Sequence, residues 1–198
     1  MSISTAKQFV AVLTKSRLLK PNHLDVVRDA AQKDPDPKAL AGRLVKKGLL
    51  SHWQARQLLA GHASFFLGEY RLIDSLTSHA GSHVYLADHK TLGRRVVLKR
   101  LPRVTMDRDD RKKQLLSAIR AAAGFDHKNL ARIYNIEQAG DRYYVISQYV
   151  EGSDLAAIVA KNGPLAYADA ASAVSQAAAG LAEAHRRKAV HGGVRPSN

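Results

Sequence analysis

The segment RRVVLKRL at residues 94–101, followed by RDDRKKQLLSAIRAAAGF at residues 108–125, decides the class of fold. The first stretch is a short run rich in branched apolar residues, which is typical of a β-strand. In the second, Leu115, Ile119 and Ala122 recur at the spacing of one face of an α-helix. A strand followed by an amphipathic helix indicates a mixed α+β fold.

Further strands are predicted on both sides of this pair, each a β-branched or aromatic run that ends at a polar turn. They are YRLIDSL (70–76), SHVYLADH (82–89), ARIYNIEQ (131–138) and RYYVISQYV (142–150). The order along the chain is therefore three strands, one helix and two strands. We expect an α+β domain that begins near residue 68.

Residues 1–62 carry helical periodicity instead. Gly48 is placed to end one helix, because glycine adopts the left-handed conformation that terminates helices. Ser51 precedes Gln54 by three residues, the spacing of a capping box that opens the next helix. The change of period near residue 68 marks a boundary between this small all-α module and the strand-rich region after it.

Two helices are predicted after residue 150. Ser153 in the stretch EGSD is positioned to cap a short helix that ends at Gly163. The alanine-rich segment from residue 167 to residue 190 predicts a long helix. Its apolar stripe consists of Val174, Ala178, Leu181 and His185.

The chain is strongly basic, with a formal charge of +14 and an isoelectric point near 10.2 over 198 residues. Between Lys90 and Lys113 there are ten basic and three acidic residues, so half of the excess lies in one segment. Interleaved Asp residues favour an ordinary solvated surface there. Nucleic acid is not supported beyond the net charge, because no aromatic-interleaved basic motif accompanies it.

Several classes of protein are disfavoured by composition. No apolar run approaches the roughly 20 residues of a membrane-spanning helix, and the first residues do not have the pattern of a secretory signal. Without cysteine there is no disulfide and no thiolate ligand. His79 and His83 are four residues apart, but on a predicted strand and turn, so we expect no metal site. We expect a cytoplasmic chain without a transmembrane segment.

Six strings in correct order and spacing resemble the protein kinase family, in particular the bacterial Ser/Thr kinases that look like the eukaryotic ones. They are LGEYRLIDSL (67–76), VYLADH (84–89), VVLK (96–99), AAAGFDHKNLARIY (121–134), YYVISQYVEGSDL (143–155) and VHGGVRPSN (190–198). The resemblance runs from Gly68 to Asn198. A helical leader of similar sequence also precedes some large bacterial kinases of this kind.

The resemblance implies a kinase-like amino-terminal lobe with a five-stranded antiparallel sheet and one helix. A partial helical carboxy-terminal lobe should follow it. The implied domains are a helical module at 1–62, the kinase-like N-lobe at 68–149 and the partial C-lobe at 150–198, which ends in the region of the catalytic loop.

The glycine-rich loop of the family lets backbone amides approach the phosphates of ATP. Alignment on the string VYLA places Thr77, His79 and Ser82 where the three glycines would be, and Gly81 is one place out of register. Side chains at those positions should prevent the loop from closing over a triphosphate in the usual way.

Lys99 matches the strand lysine that holds the α and β phosphates, and we expect it on a buried strand. In the family a glutamate on the following helix pairs with this lysine, and the matching position here is Ala118. Gln114, one turn earlier, is uncharged. The ion pair of an active kinase therefore has no acidic member in this sequence.

The stretch ISQYV resembles the connection between the two kinase lobes, with Ser147 at the entrance to the back of the nucleotide pocket. The backbone from Gln148 to Val150 is then positioned to hydrogen-bond an adenine. Such contacts are made by main-chain atoms, so they tolerate substitution and say little about activity.

In VHGGVRPSN the family's His-Arg-Asp becomes His191, Gly192 and Gly193. Gly193 occupies the position of the catalytic aspartate, so no catalytic residue is assigned. Asn198 matches the asparagine that holds a magnesium ion, while the metal-binding Asp-Phe-Gly motif is not in this chain. The resemblance implies ATP and Mg²⁺ as ligands, and these departures weaken that expectation.

The sequence leaves three functional hypotheses open. The first is an inactive, pseudokinase-like module that acts by binding or regulating another protein. The second is a Ser/Thr kinase fragment that binds ATP through Lys99, Gln148, Val150 and Asn198 with weak or unconventional activity. The third is a basic module with an anionic partner. If the kinase-like region is truncated, the apolar stripe of the helix at 168–188 should be exposed, which favours a protein partner or an oligomer.

Overall fold

The computed structural model describes residues 3–76 and 83–197 of the chain. Two compact units are present, Met1–Arg95 and Val96–Asn198. The domain bounds expected from the sequence stay a prediction, because compactness concerns packing whereas a domain is defined by independent folding.

Helices form the first part of the first unit: α1 (Ala6–Ser16), α2 (Pro21–Lys33), α3 (Pro37–Lys46) and α4 (His52–Leu59). The capping box of Ser51 and Gln54 at the start of α4 is confirmed. Gly48 follows α3 with a φ of 68°, and its N–H donates to the Val45 carbonyl. This left-handed residue ends the helix, as the sequence predicts.

The four helices share one apolar core. Its most deeply buried large side chains are at most 1% exposed: Phe9, Leu13, Leu40, Leu58 and Phe65. Each such side chain stabilises the fold by about 1.5–3 kcal/mol on leaving water. Phe65 lies just beyond α4, so the helical core extends to the strands that follow it.

Three strands complete the first unit within its described residues: β1 (Phe66–Leu67), β2 (Tyr70–Ser75) and β3 (Val84–His89). β1 pairs with β2 and β2 with β3, all antiparallel. Gly68, at a φ of 55°, allows the tight turn between β1 and β2. β1 was not predicted, because two residues are too few to show an alternating pattern.

The start of α4 is joined to β2 by side-chain hydrogen bonds. The pairing of β2 with β3 is irregular between Leu72 and Asp74. There the Gln54 side chain donates to the Leu72 carbonyl at 2.7 Å, and the Ser51 hydroxyl donates to the Ile73 carbonyl at 2.5 Å. The two residues that cap α4 therefore also satisfy main-chain acceptors of the irregular strand.

Trp53 adds apolar contacts at the same place. Its ring meets Phe65 edge-on at a centroid distance of 5.8 Å and lies 6.0 Å from the ring of Tyr85 on β3. Such aromatic pairs stabilise beyond the area that they bury. The helical module and the first strands thus pack as one structure within this unit.

We predict that Gln54→Leu destabilises the chain by about 1–3 kcal/mol, because it leaves the half-buried Leu72 carbonyl without the side-chain donor that reaches it at 2.7 Å. The Gln54 side chain is 5% exposed, so water does not readily replace the bond. Equilibrium unfolding in urea measures the loss. The matched control is Gln57→Leu on the same helix, since no strand accepts a hydrogen bond from the Gln57 side chain in the described part of the chain. Equal effects of the two variants would contradict the proposed role of Gln54.

The second unit contains strands and helices in the predicted order: β4 (Arg95–Arg100, which begins at the last residue of the first unit), α5 (Arg103–Met106), α6 (Asp109–Ala123), β5 (Ile133–Ala139), β6 (Arg142–Gln148), α7 (Leu155–Asn162) and α8 (Tyr167–Arg186). The five strands expected from the sequence are all confirmed. The short helix α5 was not predicted.

Strand β6 pairs with β4 on one side and with β5 on the other, both antiparallel. Val96, Leu98 and Ile146 are fully buried. Helix α6 packs through Ile119, with Leu115 half-buried beside it. The helical face predicted from the spacing of these two residues is confirmed.

The start of α7 differs by one residue from the expectation. Asp154 is the N-cap, and its carboxylate accepts the backbone N–H of Ala157 at 2.8 Å. The prediction that Ser153 caps this helix is wrong. Both side chains are good N-caps, and the sequence alone does not say which of two neighbours adopts the extended backbone that a cap needs.

Helix α8 packs against the segment between α6 and β5 through its small residues. A Cβ atom at Gly180 would lie 2.8 Å from the Asn129 carbonyl oxygen, so only glycine fits there without a shift. The Asn129 side chain donates to the Gln176 carbonyl at 2.8 Å. Val174 is 68% exposed, so the expectation of an exposed apolar stripe on this helix is confirmed at that residue.

The end of α8 is held by charge. Glu183 accepts hydrogen bonds from Arg186 and Arg187, and these bonds lower the pKa of its carboxyl group. Arg187 also donates to the Gly124 carbonyl at 3.0 Å. These contacts fix the direction in which the chain leaves the helix toward residue 190.

Candidate functional site

Lys99 lies on β4, directly opposite Val145 of β6. Its neighbours Val96 and Leu98 face the core, whereas the Lys99 side chain is exposed. The expectation of a buried lysine is wrong, because side chains alternate along a strand and Lys99 falls on the face opposite Leu98. An exposed ammonium group on an ordered strand is available to an anionic ligand.

Helix α6 provides no acidic partner for this lysine. Ala118 is exposed, and the only carboxylates of the helix are Asp109 and Asp110 in its first turn. Among the described residues Lys99 makes no ion pair. In the part of the chain that the structure describes, the exposed Lys99 ammonium group therefore has no carboxylate to orient it.

Gln148 ends β6 and is held twice by Arg132. Its backbone N–H donates to the Arg132 carbonyl at 2.8 Å, and its side-chain oxygen accepts the Arg132 N–H at 3.3 Å. Val150 follows in irregular backbone with its side chain 64% exposed. Within the described residues no acceptor takes the Val150 N–H. This N–H is therefore a free donor at the end of a well-fixed strand.

The loop after α8 contains His191, Gly192 and Gly193. The Gly193 N–H donates to His191 Nδ1 at 3.2 Å, and Gly192 has a φ of 68°. The Pro196 carbonyl accepts the N–H of Ala156 on α7 at 3.1 Å. The loop is thus ordered by local bonds, but its residues from 190 to 197 include no carboxylate.

A Cβ atom built on Gly193 meets nothing within 4 Å. An aspartate side chain would therefore have room at this position. The absence of the carboxylate is a feature of the sequence and is not imposed by crowding.

Other predicted site residues lie outside the described part of the chain. Thr77, His79, Gly81 and Ser82 fall between residues 76 and 83, and Asn198 is the last residue. Whether these residues lie near Lys99 therefore stays a prediction.

A cavity of about 410 Å³ in the second unit is lined by α6, β5 and β6, for example by Ile119, Tyr134 and Tyr143. Lys99, Gln148 and Val150 do not line it. Within residues 3–76 and 83–197, no group of three or more acidic or histidine side chains could hold a metal ion. The same residues include no helix long and apolar enough to cross a membrane.

Sequence patterns missed one group of charged residues. Arg17 and Arg71 line a cavity of the first unit together with Lys90 and Arg95. Only Lys90 and Arg95 belong to the basic segment noted in the sequence. The other two are distant along the chain, and a charge count within one window does not detect such a group.

Comparison with known proteins gives the chain's relatives. The family model of the protein kinase domain matches residues 70–198. The chain is 29% identical over 131 residues to the serine/threonine-protein kinase PrkC of Bacillus subtilis, a match that covers 66% of this chain and 20% of PrkC. It is 30% identical over 131 residues to Pkn1 of Myxococcus xanthus, covering 66% of this chain and 19% of Pkn1. The chain therefore spans about a fifth of the length of these relatives.

Solved structures show the same architecture. The crystal structure of the PknI kinase domain of Mycobacterium tuberculosis superposes with a TM-score of 0.62 at 24% identity, covering 69% of this chain and 56% of that domain. This likeness concerns the fold. It confirms the predicted α+β class, with a kinase-like N-lobe and part of a helical C-lobe.

Proposed function

The chain belongs to the protein kinase family, and we propose that its kinase-like region is a pseudokinase that binds or regulates another protein without transferring phosphate. The observation that carries the proposal is Gly193, which the resemblance of VHGGVRPSN (190–198) to the family's catalytic loop aligns with the catalytic aspartate. A kinase needs a positioned carboxylate there to accept or orient the proton of the attacking hydroxyl group.

The loop from residue 190 to residue 197 has no Asp or Glu that could replace the missing carboxylate. The Gly193 N–H is bonded to His191 Nδ1, and the next charged side chain along the loop is the cation of Arg195. A guanidinium group does not lose its proton in proteins, so it cannot act as the base. The loop is held by local hydrogen bonds, but it has no carboxylate to act as the base.

The lysine side of the site supports the same proposal. Without a glutamate on α6, nothing in that helix holds Lys99 in the orientation that phosphate transfer needs. The relatives are named as kinases, but this does not decide whether the present chain transfers phosphate, because fold does not imply function. We place this module in the cytoplasm, which its lack of cysteine favours.

We predict that Gly193→Asp does not create phosphotransfer activity, because Ala118 and the altered glycine-rich loop remain. The variant should fold normally, since a Cβ atom at residue 193 meets no other heavy atom within 4 Å. Purified wild type and variant are compared for transfer of labelled phosphate to a generic protein substrate, with circular dichroism as the check on folding. If the variant transfers phosphate, the missing carboxylate at residue 193 was the only barrier to activity. The proposal that several changes together abolish activity would then be wrong.

A second candidate function is nucleotide binding. It is favoured by two donors on the second unit: the exposed Lys99 ammonium group on β4, and the Val150 N–H without a partner among the described residues. In the kinase family these two positions meet the phosphates and the adenine. Binding would need neither Gly193 nor a carboxylate on α6.

This candidate predicts that Mg-ATP stabilises the folded chain by about 2.7 kcal/mol when the ligand is present at about 100 times its dissociation constant. Thermal unfolding with Mg-ATP, compared with magnesium alone, measures the shift. Lys99→Met should reduce it, whereas Lys161→Met on α7 should not. If unfolding is cooperative but its midpoint does not change with Mg-ATP, the hypothesis of nucleotide binding is wrong and only the interaction module remains.

The surface that we propose for the interaction is the exposed stripe of α8, centred on Val174 and Ala178. Apolar side chains exposed along one helix favour contact with another protein, for which a second copy of the chain is the simplest case.

Sedimentation velocity tests this surface. We expect wild type to form a concentration-dependent dimer and Val174→Glu to remain monomeric, because a buried carboxylate opposes association. Asp169, on the first turn of the same helix, offers a control as Asp169→Asn. A wild-type chain that stays monomeric at all concentrations would contradict self-association through α8.

A further inference from the structure

A cavity of about 600 Å³ lies wholly within the first unit, where the end of α1 meets β2 and the turn after β3. Its lining includes four cations: Arg17, Arg71, Lys90 and Arg95. The single acidic group of the lining is Asp88, which accepts a hydrogen bond from Arg71 at 3.0 Å. Three positive charges therefore remain in excess around the cavity.

Three of these cations have no carboxylate partner among the described residues: Arg17, Lys90 and Arg95. Lys90 is nevertheless held in place. Its ammonium group donates to the Gly68 carbonyl at 3.1 Å and lies 4.8 Å from the centre of the Phe66 ring. Both contacts orient the Lys90 ammonium group without neutralising its charge, and the group stays exposed to an incoming ligand.

Arg17 is unusual in its backbone. It ends α1 in the left-handed conformation with a φ of 56°, a region that side chains other than glycine and asparagine seldom adopt. This left-handed turn, which ends α1, brings the Arg17 guanidinium group to the cavity that the other three cations line.

We propose that this cavity binds a phosphate monoester in its dianionic form. Guanidinium groups pair with phosphate oxygens in a bidentate manner, and a monoester carries close to two negative charges at neutral pH. A carboxylate would leave most of the excess positive charge unpaired. The volume is that of a ligand pocket, larger than a phosphate group alone, and Leu18 and Phe66 offer apolar contact to whatever carries the phosphate.

The site is independent of the proposed function, since none of its residues belongs to the candidate nucleotide site of the second unit. It also joins α1 to β2 and to the turn after β3. A bound phosphate would therefore strengthen the packing of the helical module on the first strands.

The test uses the full chain and a fluorescein-labelled peptide of alanine and glycine with one phosphoserine. Fluorescence anisotropy at near-physiological salt should show binding that the unphosphorylated peptide lacks. Arg17→Asn removes the charge and relieves the strained backbone, so it should weaken binding about tenfold or more while thermal stability stays equal or rises. Lys15→Gln, an equal loss of charge on α1 away from the cavity lining, should leave the affinity within about threefold.

Free O-phosphoserine as competitor identifies the source of the phosphate. A peptide that binds more tightly than the free amino acid points to a phosphorylated protein, and equal affinities point to a small phosphorylated metabolite; both support the site. The proposal is overturned if the phosphorylated and plain peptides bind alike, or if Arg17→Asn and Lys15→Gln weaken binding equally. It is also overturned if a DNA duplex binds more tightly than the phosphopeptide with the same dependence on Arg17.

Discussion

The first unit depends on one constraint: the main-chain carbonyls of the irregular strand β2 need donors, and the cap of a helix supplies them. Gln54 and Ser51 bind the carbonyls of Leu72 and Ile73 while they also close the first turn of α4. This double use ties the helical module to the strands. The basic cavity depends on that packing, because its cations come from both the helices and the strands.

In the second unit, the residues that hold the fold differ from the residues that phosphate transfer would need. Buried residues such as Leu98, Ile119 and Ile146 maintain the kinase architecture, since apolar burial depends on pattern and volume. Phosphate transfer depends on individual carboxylates, and a change to Gly193 or Ala118 removes one without disturbing the core. The kinase fold of this unit therefore does not by itself say whether the chain transfers phosphate.

The features that could be predicted from the sequence are those set by residues close together in the chain. The five longer strands, the packed face of α6, and the capping box of α4 are all evident from the spacing of residues close in the chain. The exposure of Lys99, the choice of Asp154 over Ser153 as a cap, and the two-residue strand β1 depend on details of backbone geometry. The bond from Gln54 to Leu72 and the meeting of Arg17 with Arg71 join distant segments, which no local pattern records.

We expect that this member of the kinase family does not transfer phosphate, and one comparison tests that expectation without intermediate assumptions. Wild type and Lys99→Met, purified in parallel, are incubated with labelled Mg-ATP, and phosphate incorporated into the chain and into an added protein is counted. We predict the same background in both, because any signal would come from a contaminating kinase. Incorporation by wild type that disappears in Lys99→Met would contradict a pseudokinase and establish an enzyme that works without the usual aspartate.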